Sequence, residues 1–478
     1  MREKNVQMSL FDTYKDVASS IEEDKPKLFR LLDEHVDWDM IIPSRFHTAF
    51  YKRKGRPRDY PLVGFIKSFV LQKVFGYIDD SLLLLTLQHS REMREFCEFR
   101  KVPDAAKITR FKQDFLVYLA EFFDRLVEIT EPICREMDAE LADSLIFDTT
   151  GIESHVAENN PKFINSKLRQ AKAISKVDPT FDPYKGVYSL LPDHAYANPA
   201  VKRQYINGYF CYAQKAGILT NTLGIVRHIA LFDEDFKVAH PEMPVDKRSD
   251  NPNADKEIGD ARALLPVLRD FRAAHPSLTY STFMGDSSFD SYDLYSALLG
   301  EYGFSRAVIP MNSRNSASTL PVGFNEFGIP LCPKDKEPMK YHSICGGQNR
   351  SKRIKFICPK SQRAKSPRGS WRCFCEYPCS STLYGRSVYV YPDANKRLYP
   401  GIVRGTTEWD ALYARRVEVE RSIGSFKAVL GLQRRKTYNT KTTKADLFLA
   451  GIVQLLCVVI ADKLHDRKLI RRIRKLAA

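Results

Sequence analysis

The spacing of apolar residues changes once along this chain, and the change limits the folds that the chain can adopt. From residue 60 to about residue 131, apolar residues recur at helical intervals, with breaks at Gly76 and around Pro103. Beyond about Ala139, short apolar runs of strand length alternate with helical stretches. We therefore predict a helical unit followed by an α/β unit. The predicted strands are 144–150, 209–220, 224–232, 278–285 and 307–310, with a helix over 260–271.

The charge of the chain indicates a polyanionic partner. The sequence has 74 Lys and Arg against 58 Asp and Glu, a formal net charge of +16, which suits nucleic acid or an anionic membrane. The most apolar stretch, 447–461, is shorter than the roughly 20 residues of a spanning helix and predicts a buried core helix instead. No secretory signal is visible at the N-terminus. We therefore expect a cytoplasmic, nucleoid-associated protein with no membrane partner.

Within the helical unit, one segment has the features of a helix-turn-helix. Asp104 is a suitable N-cap for a helix that begins at Ala105 and carries Lys107, Arg110 and Lys112 near its start. Such a helix could enter a DNA major groove. The same spacing also fits an ordinary helical bundle with a solvated face.

Six of the ten cysteines lie in one basic segment, 330–386. Only Cys373, Cys375 and Cys379 are close together, and paired Cys-x₂-Cys knuckles are absent, so the match to zinc-binding spacings is poor. His342 could add a ligand. The sequence leaves open whether a structural Zn²⁺ or buried reduced thiols explain these residues.

Three carboxylates stand where a site could form. Asp148 and Asp286 each end an apolar strand, and open α/β sheets bind ligands at that edge. Glu420 lies on a later helix. Asp143 and Asp290 compete with the two aspartates, but Asp143 precedes its apolar run, which predicts a surface residue, and Asp286 is the residue at its strand end.

The helix that carries Glu420 is predicted to begin after Thr407 as N-cap and to stop at Gly431. At about 100° per residue, Arg416, Glu420 and Lys427 lie within about 60° of Tyr413, so the four side chains form one stripe. Glu418 lies about 140° away. A solvated face with an i,i+4 ion pair is the simpler interpretation of the stripe alone. Together with Asp148 and Asp286, however, it predicts carboxylates that bind hard divalent ions beside donors for phosphate oxygens.

The stripe matches a known signature. The spacing of Tyr413, Arg416, Glu420 and Lys427 resembles the Tyr-Arg-Glu-Lys signature of one branch of bacterial insertion-sequence DDE transposases. The segments DTTG around Asp148 and GDSSFDS around Asp286 are similar to the first two aspartate motifs of that family. The resemblance covers roughly residue 60 to the end. Ser287 and Ser288 depart from it, since Lys and Gly commonly follow the second aspartate.

The resemblance implies a ribonuclease H-like core in which the first Asp lies on the first strand, the second Asp follows the fourth strand and the Glu lies on a later helix. Asp148, Asp286 and Glu420 would then bind two Mg²⁺ ions, or Mn²⁺, and catalyse DNA cleavage and strand transfer. Tyr413, Arg416 and Lys427 would bind phosphates of the DNA. The implied partners are double-stranded transposon ends with their terminal inverted repeats, target DNA, and a second copy of the chain in a DNA-bound homodimer.

The predicted organisation has five segments. They are an N-terminal helical segment with a basic linker (1–59), a helical DNA-binding domain (60–135), the first part of the catalytic core (140–329), a Cys-rich basic insertion (330–386) and the second part of the core with the Glu-bearing helix and a basic tail (387–478). Two other functions share these features. One is a catalytically silent DNA-binding protein derived from a transposase, and the other is a ribonuclease H-like nuclease or resolvase.

Overall fold

A computed structural model describes residues 15, 25–52, 55–206, 209–243, 258–312, 323–325, 327–347, 350–363, 370–433 and 435–477. Parts of the predicted basic segments, including Arg53, Lys54, Lys365 and Arg368, lie outside the described residues.

The helices are numbered in chain order. They are α1 (Lys27–His35), α2 (Trp38–Ile41), α3 (Ser44–Phe50), α4 (Leu62–Val74), α5 (Asp80–His89), α6 (Arg91–Phe96), α7 (Ala105–Asp114), α8 (Leu116–Met137), α9 (Ala139–Ala142), α10 (Pro161–Val177), α11 (Pro183–Gly186), α12 (Glu234–Ala239), α13 (Asp260–Ala274), α14 (Tyr292–Ser296), α15 (Thr407–Tyr413), α16 (Val417–Ala428), α17 (Thr440–Lys463) and α18 (Ile473–Ala477).

The strands follow the same order. They are β1 (Ser144–Glu153), β2 (His194–Ala195), β3 (Asn198–Ile206), β4 (Tyr209–Thr220), β5 (Val226–Leu231), β6 (Thr282–Met284), β7 (Arg306–Val308), β8 (Lys340–Gly347), β9 (Arg350–Ile357), β10 (Ser361–Arg363), β11 (Trp371–Cys373) and β12 (Ser387–Val390).

The chain divides into two compact units. The helical unit comprises Met1–Met137, Glu153–Val156 and Ser425–Ala478, and the sheet unit comprises Asp138–Ile152 and Ala157–Gly424. Helix α16 crosses the boundary between them at Gly424.

Helix α17 is the core of the helical unit and contacts α1, α4, α7 and α8. It has 24 residues and is the one helix of the described chain that is long and apolar enough to cross a membrane, but 94% of its most apolar window is buried inside the protein. The helix is therefore longer than the predicted stretch 447–461, so the predicted length is wrong, whereas the predicted burial is confirmed.

A group of buried charges lies against α17. Asp446 of α17 is within 3.1 Å of the Lys112 ammonium of α7 and within 2.7 Å of the Arg435 guanidinium, and Asp80 accepts a 2.6 Å hydrogen bond from Lys112. Burial, with the Arg435 charge, lowers the pKa of the nearby Lys73 well below its usual range. Removing either partner of such a pair would leave an uncompensated buried charge.

The predicted helix-turn-helix segment is confirmed in part. Helix α7 begins at Ala105, and the Asp104 carboxylate caps it by accepting a 2.8 Å hydrogen bond from the Lys107 amide. Lys112, however, is fully buried in the ion pairs with Asp80 and Asp446. The prediction that Lys112 faces a DNA groove is therefore wrong.

The sheet unit is built on a mixed seven-stranded sheet, which confirms the α/β class. The strand order is β2-β3-β4-β1-β6-β7, and β5 also pairs with β4. Strands β1, β6 and β7 run parallel, whereas β3 and β5 are antiparallel to β4. Side chains of β1 and β6, including Phe147 and Phe283, pack with those of α13, including Leu264, in one buried cluster.

The Cys-rich segment contains β8, β9 and the pair β10-β11, and β9 also pairs with β12, just beyond the segment, to complete a three-stranded sheet (β12-β9-β8). All ten cysteines are free thiols; Cys332 and Cys358 are buried, and the Cys358 and Cys373 sulfurs lie 3.5 Å apart. In the part of the chain that the structure describes, no three His, Cys, Asp or Glu side chains are arranged to hold a metal ion. A structural Zn²⁺ here stays a prediction.

The helix predicted to carry Glu420 is interrupted. It consists of α15, a 3₁₀ turn over Ala414–Arg416 and α16. Its N-cap is Thr406, whose hydroxyl accepts a 3.3 Å hydrogen bond from the Trp409 amide, so the predicted cap at Thr407 is wrong by one residue. The stop is confirmed, since α16 ends at Ala428 and Gly431 adopts a φ of 72°.

The cap gives a stability prediction with a control in the next residue. Thr406→Ala should lower the free energy of unfolding by about 1 kcal/mol, because it removes the acceptor for the Trp409 amide. Thr407→Ala, at an exposed helical position, should change it by less than about 0.5 kcal/mol. Urea denaturation of both variants measures the difference, and equal effects would show that Thr406 is not the cap.

Candidate active site

The pairing of β1 with β6 determines where two of the three predicted carboxylates lie. The parallel register joins Ser144 to Thr282 and Ile146 to Met284. Asp148 lies two residues beyond the last of these pairs on β1, and Asp286 lies two residues beyond the end of β6. Asp148 is the fifth of the ten residues of β1, so its predicted place at a strand end is wrong, whereas Asp286 follows its strand as predicted. The two carboxylates are close enough for the charge of Asp286 to help raise the pKa of Asp148.

Local structure explains the residues around Asp286. A side chain at Gly285 would place its Cβ only 2.8 Å from the Phe289 ring, so the sharp exit from β6 requires glycine. Asp286 then caps a 3₁₀ turn, accepting hydrogen bonds from the amide, at 2.8 Å, and from the hydroxyl of Ser288. Ser288, which departs from the pattern of the resembling family, thus orients the Asp286 carboxylate.

The competing aspartates have other partners. Asp290 is buried and accepts hydrogen bonds of 3.0 and 2.7 Å from the Arg397 guanidinium, as well as bonds from the Tyr295 hydroxyl and the Asn312 amide. Asp143 is partly exposed just before the start of β1, where its carboxylate accepts a 3.3 Å hydrogen bond from the Ser281 amide. Neither carboxylate is free to act at the edge that holds Asp148 and Asp286.

Arg416 links Asp148 to Glu420. Its guanidinium forms an ion pair with Glu420 and lies 3.8 Å from the Asp148 carboxylate. Tyr413 precedes the 3₁₀ turn that Arg416 ends, and the two side chains interact through a hydrogen bond. The Tyr413 ring stacks on the buried Trp409 ring at 4.8 Å, so Trp409 is a packing residue.

Electrostatics of the site follow from these contacts. Burial raises the pKa of Asp148 to about 6, and the charges of Asp286 and Glu420 add to the rise, while the Thr149 amide and Arg416 oppose it. Burial also raises the pKa of Tyr413, although Arg416 lowers it. For Arg416 itself, burial acts to lower the pKa, but Glu420 and the other neighbouring acids raise it overall. The carboxylates are therefore close enough to repel one another.

The structure distinguishes Glu420 from its neighbour. The Glu418 carboxylate is buried and pairs with Arg421 at 2.6 Å, whereas that of Glu420 is half exposed beside Arg416. Lys427 lies in the last turn of α16, half-buried and beyond the boundary of the sheet unit. Five of the six predicted site residues, Asp148, Asp286, Tyr413, Arg416 and Glu420, therefore belong to the sheet unit.

One carboxylate near the site was missed by the sequence analysis. Asp260, in the first turn of α13, accepts a 2.7 Å hydrogen bond from the Thr149 hydroxyl and forms a 2.6 Å ion pair with Lys215. The Thr149 amide in turn donates to Asp148 at 2.8 Å. Asp260 thus supports Asp148 through its neighbour. Its only sequence signal was an acidic residue at a predicted helix start.

What the site can do chemically follows from its donors. Three carboxylates supply only oxygen ligands, which suit Mg²⁺ or Mn²⁺ and not softer metals. In the structure the Arg416 guanidinium provides the positive charge between Asp148 and Glu420, and no ready-made group of three metal ligands is present among the described residues. Binding of a metal ion would require Arg416 to exchange its partners.

Comparison with known families gives one match. Residues 17–114 match the model of a transposase domain (DUF772). Comparison with curated proteins gives no match. The matched segment lies within the helical unit and supports a transposase, and with it a DNA-processing enzyme.

The raised pKa of Asp148 predicts a pH-dependent effect on stability. Its folded pKa of about 6 exceeds the ordinary value of 3.8, so ionisation favours the unfolded chain, and the stability present below about pH 4 is lost as pH rises through about 6. Asp148→Asn should therefore raise the free energy of unfolding at pH 7.5 by up to about 3 kcal/mol. Thermal unfolding in EDTA from pH 4 to 8 measures the difference in stability between Asp148→Asn and the wild type, and this difference should disappear near pH 4.

Substitutions of the two aspartates of the second motif should lower the stability of the protein by different amounts. Asp290→Asn should lower the free energy of unfolding by about 3–5 kcal/mol, because it removes the charged partner of a buried ion pair with Arg397. Asp286→Asn should lower it by less than about 1 kcal/mol, since Asn also caps. Urea denaturation compares them, and a larger loss at Asp286 would reverse their assignment.

Proposed function

We propose that the protein is a DDE transposase that binds the terminal inverted repeats of its insertion sequence and catalyses metal-dependent DNA cleavage and strand transfer. The observation that carries this proposal is that Asp148 and Asp286 follow the paired residues of two parallel strands and lie near each other, with Glu420 linked to Asp148 through Arg416. The transposase-domain match at residues 17–114 supports it independently, because that segment contains none of these residues.

The strand order supports a ribonuclease H-like core. If the edge strands β2 and β3 are set aside, the order is β5-β4-β1-β6-β7, so Asp148 lies on the first strand and Asp286 follows the fourth. Glu420 lies on a later helix. This is the order of acidic residues that the resembling family implies, and the Cys-rich segment with β8–β11 falls between the second and third of them.

Asp148, Asp286 and Glu420 would hold two Mg²⁺ or Mn²⁺ ions. Such ions would activate water or a 3′ hydroxyl for in-line attack on a phosphodiester and stabilise the leaving oxygen. Asp148 and Glu420 would accept the ions in place of Arg416. Burial raises the pKa of Asp148 and repulsion from Asp286 and Glu420 adds to the rise; divalent cations would relieve that repulsion, which supports this assignment.

Arg416 would gain a new partner in the same exchange. A guanidinium released from Asp148 and Glu420 can donate two parallel hydrogen bonds to a phosphate group. Tyr413, which interacts with Arg416 and stacks on Trp409, would direct that guanidinium and donate its hydroxyl to the same phosphate. Lys427 is assigned to DNA on its place in the signature. These contacts would position the DNA without reading its sequence.

Assembly and location follow from the proposed reaction. Joining two transposon ends requires both in one complex, so we expect a DNA-bound homodimer that also engages target DNA. The substrate would be chromosomal DNA in the bacterial cytoplasm.

The function is tested with the full chain and a duplex that carries the DNA flanking its reading frame. Strand nicking or joining should require Mg²⁺ or Mn²⁺ and stop in EDTA. Glu420→Gln should reduce the rate by about 100-fold or more, since a metal ligand contributes several kcal/mol to the transition state. Asp410→Asn, at an exposed residue on α15, is the control and should cleave normally.

Three results would contradict the proposal. Undiminished cleavage by Glu420→Gln would remove Glu420 from the site. Equal cleavage of a duplex with scrambled ends would favour a nuclease or resolvase. Salt-dependent binding without cleavage under any metal would favour a catalytically silent DNA-binding protein.

A further inference from the structure

Helix α10 of the sheet unit is basic throughout. Its 17 residues include five cations, Lys162, Lys167, Arg169, Lys172 and Lys176, and no acidic residue. Ala171 is its one buried residue. A helix that buries so little is retained for something other than the core, and its charge indicates an anionic partner.

The cations are not spread evenly around α10. At about 100° per residue, Arg169, Lys176 and Lys172 lie about 20°, 40° and 80° from Lys162 on one side, whereas Ala171 lies opposite at about 180°. Lys167 lies about 140° away from Lys162. Four cations therefore form one stripe, here called the basic stripe, on the face that points away from the buried side of the helix.

The basic stripe has almost no partners within the protein. Among the described residues, Lys162, Arg169 and Lys176 form no side-chain hydrogen bond or ion pair. Lys172 lies 5.3 Å above the ring of Tyr184, a residue of α11 that is itself exposed. Solvated surface cations usually have acidic neighbours in a mixed surface, whereas this face contains only like charges.

The spacing of the stripe suits an extended polyanion. Lys162, Arg169 and Lys176 recur every seven residues, so successive cations are about 10.5 Å apart and the row is about 21 Å long. Duplex DNA carries one negative charge per roughly 1.7 Å of its axis, and each neutralised phosphate releases condensed counter-ions. A row of unpaired cations therefore complements a DNA backbone better than a compact anion.

We propose that α10 is a DNA-backbone contact of the sheet unit, in which Lys162, Arg169 and Lys176 bind phosphates of a duplex. The choice of DNA over another polyanion rests on the proposed function. The helix is joined to β1, the strand of Asp148, by the short segment 154–160. A duplex held on α10 would thus be held by an element tied directly to the strand that carries the first carboxylate.

The test compares two charge removals in one helix. Arg169→Gln and Lys167→Gln each lower the net charge by one and lie two residues apart, but only Arg169 belongs to the stripe. Binding of the full chain to a duplex of arbitrary sequence is measured in EDTA against salt concentration. Arg169→Gln should reduce the slope of log K against log salt by about 0.9, and the triple variant K162Q/R169Q/K176Q by about 2–3. Lys167→Gln should leave the slope unchanged.

Thermal unfolding is the folding control, and the triple variant should match the wild type because none of the three side chains is buried. The inference is overturned if Arg169→Gln and Lys167→Gln change the slope equally, if the triple variant binds as the wild type does, or if the stripe controls binding to vesicles of phosphatidylcholine and phosphatidylserine but not to DNA. Because the metal is absent, the slope is independent of cleavage. If the triple variant has a smaller salt slope but the wild-type protein never nicks DNA, the DNA contact of α10 is supported and the proposed function is refuted.

Discussion

The parallel pairing of β1 with β6 is the interaction on which the candidate site depends. Three residue pairs define it, and Asp148 and Asp286 each follow the last of these pairs by two residues. A slip of one residue would turn one of the two carboxylates to the opposite face of the sheet. The pairing is stabilised from within, because Phe147 and Phe283 beside it are fully buried and pack with α13. Burial of apolar side chains thus forces two like charges together.

The resulting repulsion is balanced by an internal cation. Arg416 reaches both Asp148 and Glu420, so the acidic site is partly neutralised by a residue of its own helix. The helical unit differs, since Asp446 is buried with Lys112 and Arg435, and Asp80 at the edge of this group is only partly exposed. Exposure separates the two cases: Glu420 is 48% exposed, whereas Asp446 is 1% exposed. An accessible ion pair can be replaced, but a buried one is structural.

Local features were predictable from the sequence, and long-range partners were not. The strand β4 and the Asp104 cap follow from apolar runs and short-range hydrogen bonding, and both were predicted to the residue. The burial of Lys112 was missed because its partner Asp446 lies in a helix far along the chain.

The candidate site shows the same division. Asp148 and Asp286 were predicted as the ends of apolar runs, although β1 continues beyond Asp148 to Glu153. The role of Asp290 depends on Arg397, 107 residues away. Asp260 was missed because its link to Thr149 spans 111 residues. The 3₁₀ turn before α16 was not predicted, because an average rotation of about 100° per residue does not reveal a local change in helix type.

That 3₁₀ turn has a consequence for how such a gene can vary. Tyr413, Arg416 and Glu420 depend on the exact number of residues between them, because one additional residue would rotate everything beyond it by about 100° relative to what precedes it. Substitutions at Ala414 or Arg415 would leave the rotation intact, whereas a single-codon insertion or deletion would turn Glu420 away from Asp148 while the helix still formed. Length, more than composition, is therefore what this stretch of sequence must preserve.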